Sequence, residues 1–226
     1  MIDAVYDPAD RRPVASRNLA IVQRAAAWLI DRGASANAVS LCSIAFAGLA
    51  SLCLVATAVV TDGPAIRLLF LLSALFVQAR LLANLLDGMV AIGSGRRSPE
   101  GELYNEVPDR IADGLILIAA GFATGGTPSI GYVAALVAVF TAYVRTLGSS
   151  VGVQSLFMGP MAKPQRMATI TAACLYCGSV PATWPGGFAS GAVGALSIAL
   201  ALIVLGGVAT AVRRLRRIQS QLRARA

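Results

Sequence analysis

The chain has 226 residues, 57% of them hydrophobic and 13% charged, with a net charge of +8 and a mean hydropathy of +0.71. Soluble domains carry roughly 25% charged residues, so this composition excludes a soluble globular protein and points to a membrane. The surplus positive charge flanks apolar runs and forms no continuous basic face, which tells against nucleic acid as a partner and leaves membrane topology to explain it.

The first 18 residues, MIDAVYDPADRRPVASRN, hold three acids, three arginines and no apolar core, so they do not read as a cleaved signal peptide. Over residues 17–32, RNLAIVQRAAAWLIDR, Leu19, Val22, Ala26 and Leu29 recur at helical spacing, with Arg17, Arg24, Asp31 and Arg32 mostly elsewhere on the wheel. This pattern predicts an amphipathic interfacial helix. Residues 1–35 therefore read as a cytoplasmic N-terminal segment.

Apolar runs follow at about 37–60, 65–91, 109–125, 128–148, 166–184 and 188–212, separated by breaks such as TDGPA, GGTP and SVPATWPGG. A span needs about 20 mostly apolar residues to cross a core roughly 30 Å thick, so six runs predict six transmembrane helices in one membrane domain, 36–212. The expected fold is all-α and integral to the plasma or inner membrane. Basic residues concentrate in the N-terminal segment, the 92–108 and 149–165 loops and the tail after Val212. By the positive-inside rule this alternation places both termini in the cytoplasm. The basic tail, 213–226, RRLRRIQSQLRARA, reads as an anchor at anionic headgroups.

Cys42, Cys53, Cys174 and Cys177 all lie in apolar runs, and the chain has no histidine. The CLYC spacing of Cys174 and Cys177 therefore reads as packing, not as a zinc or redox pair. GFATG and GFASG have small-xxx-small spacing and read as sites of close helix approach.

Six of the 11 acids, Asp87, Glu100, Glu102, Glu106, Asp109 and Asp113, fall within 27 residues. The second run ends in NLLDGMVAIG and the third begins in YNEVPDRIADG, so both polar sets belong to the same, cytoplasmic, membrane face. Asn84 and Asp87 are three apart, and Asn105, Asp109 and Asp113 step by four, so each set shares one side of a helix. Pro108 interrupts the second set and predicts a helix start near it. Carboxylates facing lipid are costly, about 2.5–3.5 kcal/mol each near mid-span, so these should face inward to a partner. Oxygen donors without histidine or cysteine suit a hard cation such as Mg²⁺, Mn²⁺ or Ca²⁺.

Asn84, Asp87, Gly88, Ala91, Ile92, Gly101, Asn105 and Asp109 fall at every spacing of the pattern D-x2-D-G-x2-A-R-x8-G-x3-D-x3-D. In this the chain resembles the CDP-alcohol phosphotransferase family, whose members are similar in their six spans and amphipathic N-terminal helix. Asp87, Gly88, Ala91, Gly101 and Asp109 match the pattern. Asn84 and Asn105 replace aspartates, and Ile92 replaces an arginine for which Arg96 or Arg97 could substitute.

The resemblance implies transfer of a phosphatidyl-type group from a CDP-linked lipid to an alcohol, with release of CMP, in phospholipid biosynthesis. It implies two divalent cations, Mg²⁺ or Mn²⁺, held at Asn84, Asp87, Asn105 and Asp109, with Asp113 or Glu106 available to make up charge. Asp109 would be the general base, and Asp87, Gly88, Ala91 and Gly101 would face the nucleotide. Arg145, Lys163 and Arg166 share the acids' face and would take a phosphate on the acceptor. Partners are then the CDP-lipid, the alcohol and membrane lipid, with a homodimer as the expected assembly.

Other classes of function are open on the same residues. Asn84, Asn105 and Ile92 suit a protein that binds a nucleotide-lipid or a divalent metal without turnover. A small ion transporter would carry its acids near mid-span, whereas these cluster at one face.

Overall fold

The computed structural model describes residues 19–93, 101–153, 158–181 and 194–225. The side chains at 101, 102, 104 and 105 lie outside the described set, and with them whatever Gly101, Glu102 and Asn105 contribute beyond the backbone. Arg17, Arg96, Arg97, Glu100 and the GFASG stretch also lie outside the described residues.

Every regular element among the described residues is a helix: α1 Ala20–Asp31, α2 Ala36–Ala56, α3 Gly63–Gly93, α4 Gly101–Phe122, α5 Pro128–Ser150, α6 Lys163–Ser179 and α7 Ala195–Arg223. Hydrocarbon offers backbone N–H and C=O groups no partner, so an apolar chain of this kind satisfies them within helices. Four helices, α2, α3, α5 and α7, are long and apolar enough to cross a membrane, and the chain is an all-α integral membrane protein. α4 and α6, which the sequence also reads as spans, are less apolar or shorter. α4 carries Glu106, Asp109, Arg110 and Asp113, and α6 has only 17 residues.

The packing closes into a ring. α2 lies against both α3 and α4, α4 against α5, α5 against α7, α7 against α6, and α6 returns to α3, while α1 leans on α3. The core inside this ring is built from Leu54, Phe70, Val77, Ile116, Leu117, Met167, Ile170, Leu200 and Ile203, with Cys174 and Cys177 among the buried packing residues. Leu52, Leu75, Leu136 and Leu205 point outward and are exposed, as lipid-facing positions must be.

Small residues set the closest approach. A Cβ on Gly121 would come within 3.1 Å of the Gly131 Cα, so α4 and α5 meet through this glycine pair. The first of the two small-xxx-small stretches is thus a packing site. Buried hydroxyls tie the helix ends: Thr124 Oγ1 donates to the Thr57 carbonyl at 2.6 Å, and the Thr57 hydroxyl accepts from the Thr124 N–H at 3.0 Å.

Two expectations change. α4 does not begin near Pro108 but runs through it from Gly101, so Asn105 stays in helical register with Asp109 and Asp113. Proline costs the helix one hydrogen bond, and α4 tolerates that loss within its polar half. The basic tail is not a separate segment but the continuation of α7 to Arg223. Within it Arg214 is buried, donating from Nη1 to the Thr141 carbonyl at 2.7 Å and from Nε to the Met158 carbonyl at 3.1 Å. Of the tail's arginines, that one is a structural clamp and not a headgroup anchor.

Candidate active site

α3 is 31 residues long, about 46 Å at 1.5 Å per residue, against a hydrocarbon core of roughly 30 Å. Asn84, Asp87 and Gly88 belong to its C-terminal third. Arg80, Asn84 and Asp87 stand at i, i+4 and i+7, one face of α3. Asp109 and Asp113 form the matching face of α4, and Lys163 and Arg166 the first turn of α6. These three faces converge.

Asp109, on α4, is the hub. Its Oδ1 accepts from Asn84 Nδ2 at 2.6 Å and from Arg80 Nη2 at 3.3 Å, and its Oδ2 pairs with Lys163. Arg80 also donates to the Asp109 carbonyl at 3.2 Å. One turn on, Asp113 lies between two guanidiniums, Arg80 at 2.8 Å and Arg166 at 2.6 Å. Arg166 reaches the Thr141 hydroxyl and the Met161 carbonyl as well. Asp87 accepts from the Ser40 hydroxyl of α2 at 2.6 Å and stands one turn beyond Asn84, the partner of Asp109.

Arg80, Asp87, Asp109, Asp113 and Arg166 are all buried. Inside a low-dielectric interior such groups are tolerated only when paired, and the pairing is nearly complete. Arg80 Nε and Nη1 and Arg166 Nε have no hydrogen-bond partner among the described residues, and Asp113 Oδ1 meets Arg80 as an ion pair outside hydrogen-bond geometry. Nearer the surface, Glu106 pairs with both Arg110 and Arg145.

Each sequence-predicted side chain within the described residues has a definite place. Asn84, Asp87, Asp109, Asp113, Lys163 and Arg166 form one cluster, and Arg145 pairs with Glu106 alongside Arg110. Gly88 borders open space, since a Cβ there would meet nothing within 4 Å. Ala91 is half-buried one turn further, and Ile92 is exposed. Three members were missed by sequence reasoning: Arg80, Ser40 and Arg110. Arg80 had a signal, an arginine inside an apolar helix one turn before Asn84, and such a residue is by default a functional candidate. Ser40 had none.

As oxygen donors, Asp87 and Asp109 suit a hard divalent cation, and the Asn84 amide oxygen could join them after the amide turns, because its NH₂ faces Asp109. No three His, Cys, Asp or Glu side chains cluster as a metal site among the described residues. Four carboxylates, Asp87, Glu106, Asp109 and Asp113, already face five cations, Arg80, Arg110, Arg145, Lys163 and Arg166. The oxygens open to a dication are those of Asp87 and, once Lys163 withdraws, Oδ2 of Asp109, since the other oxygen of Asp109 and both of Asp113 are taken by Asn84, Arg80 and Arg166.

No protein-family model and no curated protein sequence matches the chain. Its fold, however, is a known one, an all-helical membrane fold found in enzymes that make phospholipids. Crystal structures of phosphatidylinositol phosphate synthase from Mycobacterium tuberculosis share it. The complex with manganese and citrate superposes with a TM-score of 0.70 at 18% identity, over 88% of each chain. The complex with CDP-DAG gives 0.67 at 19% identity, over 88% of this chain and 94% of that one. The apo form gives 0.67 at 18% identity, over 87% and 95%. The family resemblance carried by the signature residues is thus matched by the fold.

Proposed function

We propose that this protein transfers a phosphatidyl-type group from a CDP-linked lipid to an alcohol, releasing CMP, as a step of phospholipid biosynthesis. The observation that carries the reading is the hydrogen bond from Asn84, one turn before Asp87 on α3, to Asp109 of α4, 25 positions further along the chain. The fold shared with a synthase solved with CDP-DAG supports it.

In this reading Asp87 and Asp109 hold a divalent cation, Mg²⁺ or Mn²⁺, with the amide oxygen of Asn105, while Asn84 orients Asp109. Bound there, the cation would neutralise charge on the lipid pyrophosphate. Asp109 takes the proton of the acceptor hydroxyl. The acceptor oxygen bonds to the β-phosphorus, the bond from that phosphorus to CMP breaks, and CMP leaves with the bonding pair. Gly88 borders the space for the nucleotide, with Ala91 and Gly101 beside it. Arg145 and Lys163 take the acceptor's phosphate, Arg166 stands behind them, and the move of Lys163 to that phosphate frees Asp109 Oδ2. Asp113 holds Arg80 and Arg166 in place.

The same reading places six spans, α2 to α7, across the membrane, with α1 lying in the interface. Both termini are then cytoplasmic, residues 1–35 precede the membrane domain at 36–212, and 213–226 follow it. A homodimer is the proposed assembly. The test is purified protein given CDP-diacylglycerol, Mg²⁺ or Mn²⁺ and a panel of alcohols with and without phosphate. CMP release with at least one acceptor is expected; none with any acceptor sinks the proposal.

A second reading, binding of a nucleotide-lipid without turnover, is favoured by one observation. Both oxygens of Asp109 are already engaged by Asn84, Arg80 and Lys163. It predicts that CMP release is absent from the wild type and gained by Asn84→Asp with Asn105→Asp.

A further inference from the structure

The guanidinium of Arg80 has no contact with solvent and lies in the ring interior between the two acids of α4. It holds both the side chain and the backbone carbonyl of Asp109, and the Asp113 carboxylate besides. An arginine is charged at every accessible pH, so this positive charge is permanent. Lys163 differs: its side chain is 22% exposed and on a flexible stem, so it can leave Asp109, whereas Arg80 is locked by packing.

One turn beyond Arg80, a carboxylate of the signature is replaced by Asn84, whose amide donates to the same Asp109 oxygen that Arg80 faces. That side of Asp109 therefore presents two donors, one of them a fixed cation. A dication there would displace hydrogen bonds and be repelled by a charge that cannot withdraw. The other oxygen of Asp109, Oδ2, pairs with the movable Lys163.

We infer that Arg80 stands in for one of the two divalent cations the signature is built to hold, so that this centre takes a single divalent cation between Asp87 and Asp109. The inference rests on the cation-dependent reading proposed above. It makes Arg80 a built-in counter-ion for the α4 acids, with Asp113 fixing its position. It also accounts for Asn84, because a carboxylate is not needed where no second dication binds.

The test is the stoichiometry of Mn²⁺ in the full-length protein in detergent, counted by electron paramagnetic resonance with CDP present. One Mn²⁺ per chain without a spin-coupled pair is expected; two per chain, or none, overturns the inference. Arg80→Gln in an Asn84→Asp background should raise the count to two, and an unchanged count in folded protein would contradict it. Should that variant fail to fold, Arg80→Lys, which keeps the charge, must still bind one, and the wild-type count decides on its own. CMP release from the same preparation separates the two ideas. Turnover with two Mn²⁺ overturns the inference and leaves the transferase standing, while one Mn²⁺ without turnover does the reverse.

Discussion

Arg80 of α3 and Asp113 of α4 form an ion pair of 2.8 Å in which the side chains are 0% and 2% exposed. Removing one member of a buried pair strands the other, at a cost of about 3–5 kcal/mol. Asp113→Asn takes the carboxylate from Arg166 and leaves Arg80 with Asp109 alone. We expect it to destabilise the fold by at least that amount, read as a lower midpoint of thermal unfolding in detergent. Glu106→Gln, on a pair 32% exposed, should cost under about 1 kcal/mol. Equal midpoints for the two variants would contradict the ranking.

Lys163 competes for the oxygen of Asp109 that a cation would use. Lys163→Met should tighten Mn²⁺ binding about tenfold, equivalent to about 1.4 kcal/mol. The same variant should raise KM for a phosphorylated acceptor while leaving KM for CDP-diacylglycerol within a factor of two or so of wild type. Titration of Mn²⁺ and steady-state kinetics report the two effects separately.

Gly88 sits in helix α3 beside open space. Alanine there meets no neighbour and gains roughly 0.5–1 kcal/mol of helix propensity. Gly88→Ala should therefore unfold no earlier than wild type yet bind CDP-diacylglycerol several-fold more weakly, because the added methyl enters the space proposed for the nucleotide. Unchanged lipid binding would remove Gly88 from the site.

Asn84→Asp places a carboxylate against Asp109 Oδ1 where an amide now donates at 2.6 Å. Without a divalent cation the variant should unfold earlier than wild type, through loss of that hydrogen bond and like-charge repulsion. With Mn²⁺ its midpoint should rise by no more than the wild-type shift, since binding to the native state stabilises it by linkage and Arg80 still holds the Asp109 oxygen that position 84 faces. A larger Mn²⁺ shift in the variant would mean that position 84 faces the cation.

Much of this arrangement was legible in the sequence because it rests on spacing. The i, i+3 and i, i+4 steps through Asn84, Asp87, Asp109 and Asp113 fix helix faces without knowledge of the fold, and the apolar runs fix the helices. What spacing does not contain is which faces meet. Ser40 belongs to an apolar stretch and becomes a partner of Asp87 only because α2 packs on α3. Lys163 and Arg166 could be assigned to the acids' membrane face, but their division between Asp109 and Asp113 depends on how α6 is seated. The start of α4 was misplaced because proline breaks isolated helices more reliably than packed ones. The tail read as an anchor because five arginines among its first residues and end hide the one, Arg214, that turns inward.

The central claim is that Asp109 deprotonates an acceptor alcohol at a centre that releases CMP from a CDP-lipid. The most direct measurement compares CMP release by wild type and Asp109→Asn on CDP-diacylglycerol with Mn²⁺ and the best acceptor found. Loss of activity by at least about 100-fold, in a variant that still folds and binds the lipid, is the predicted result. CMP release undiminished in Asp109→Asn would contradict the account.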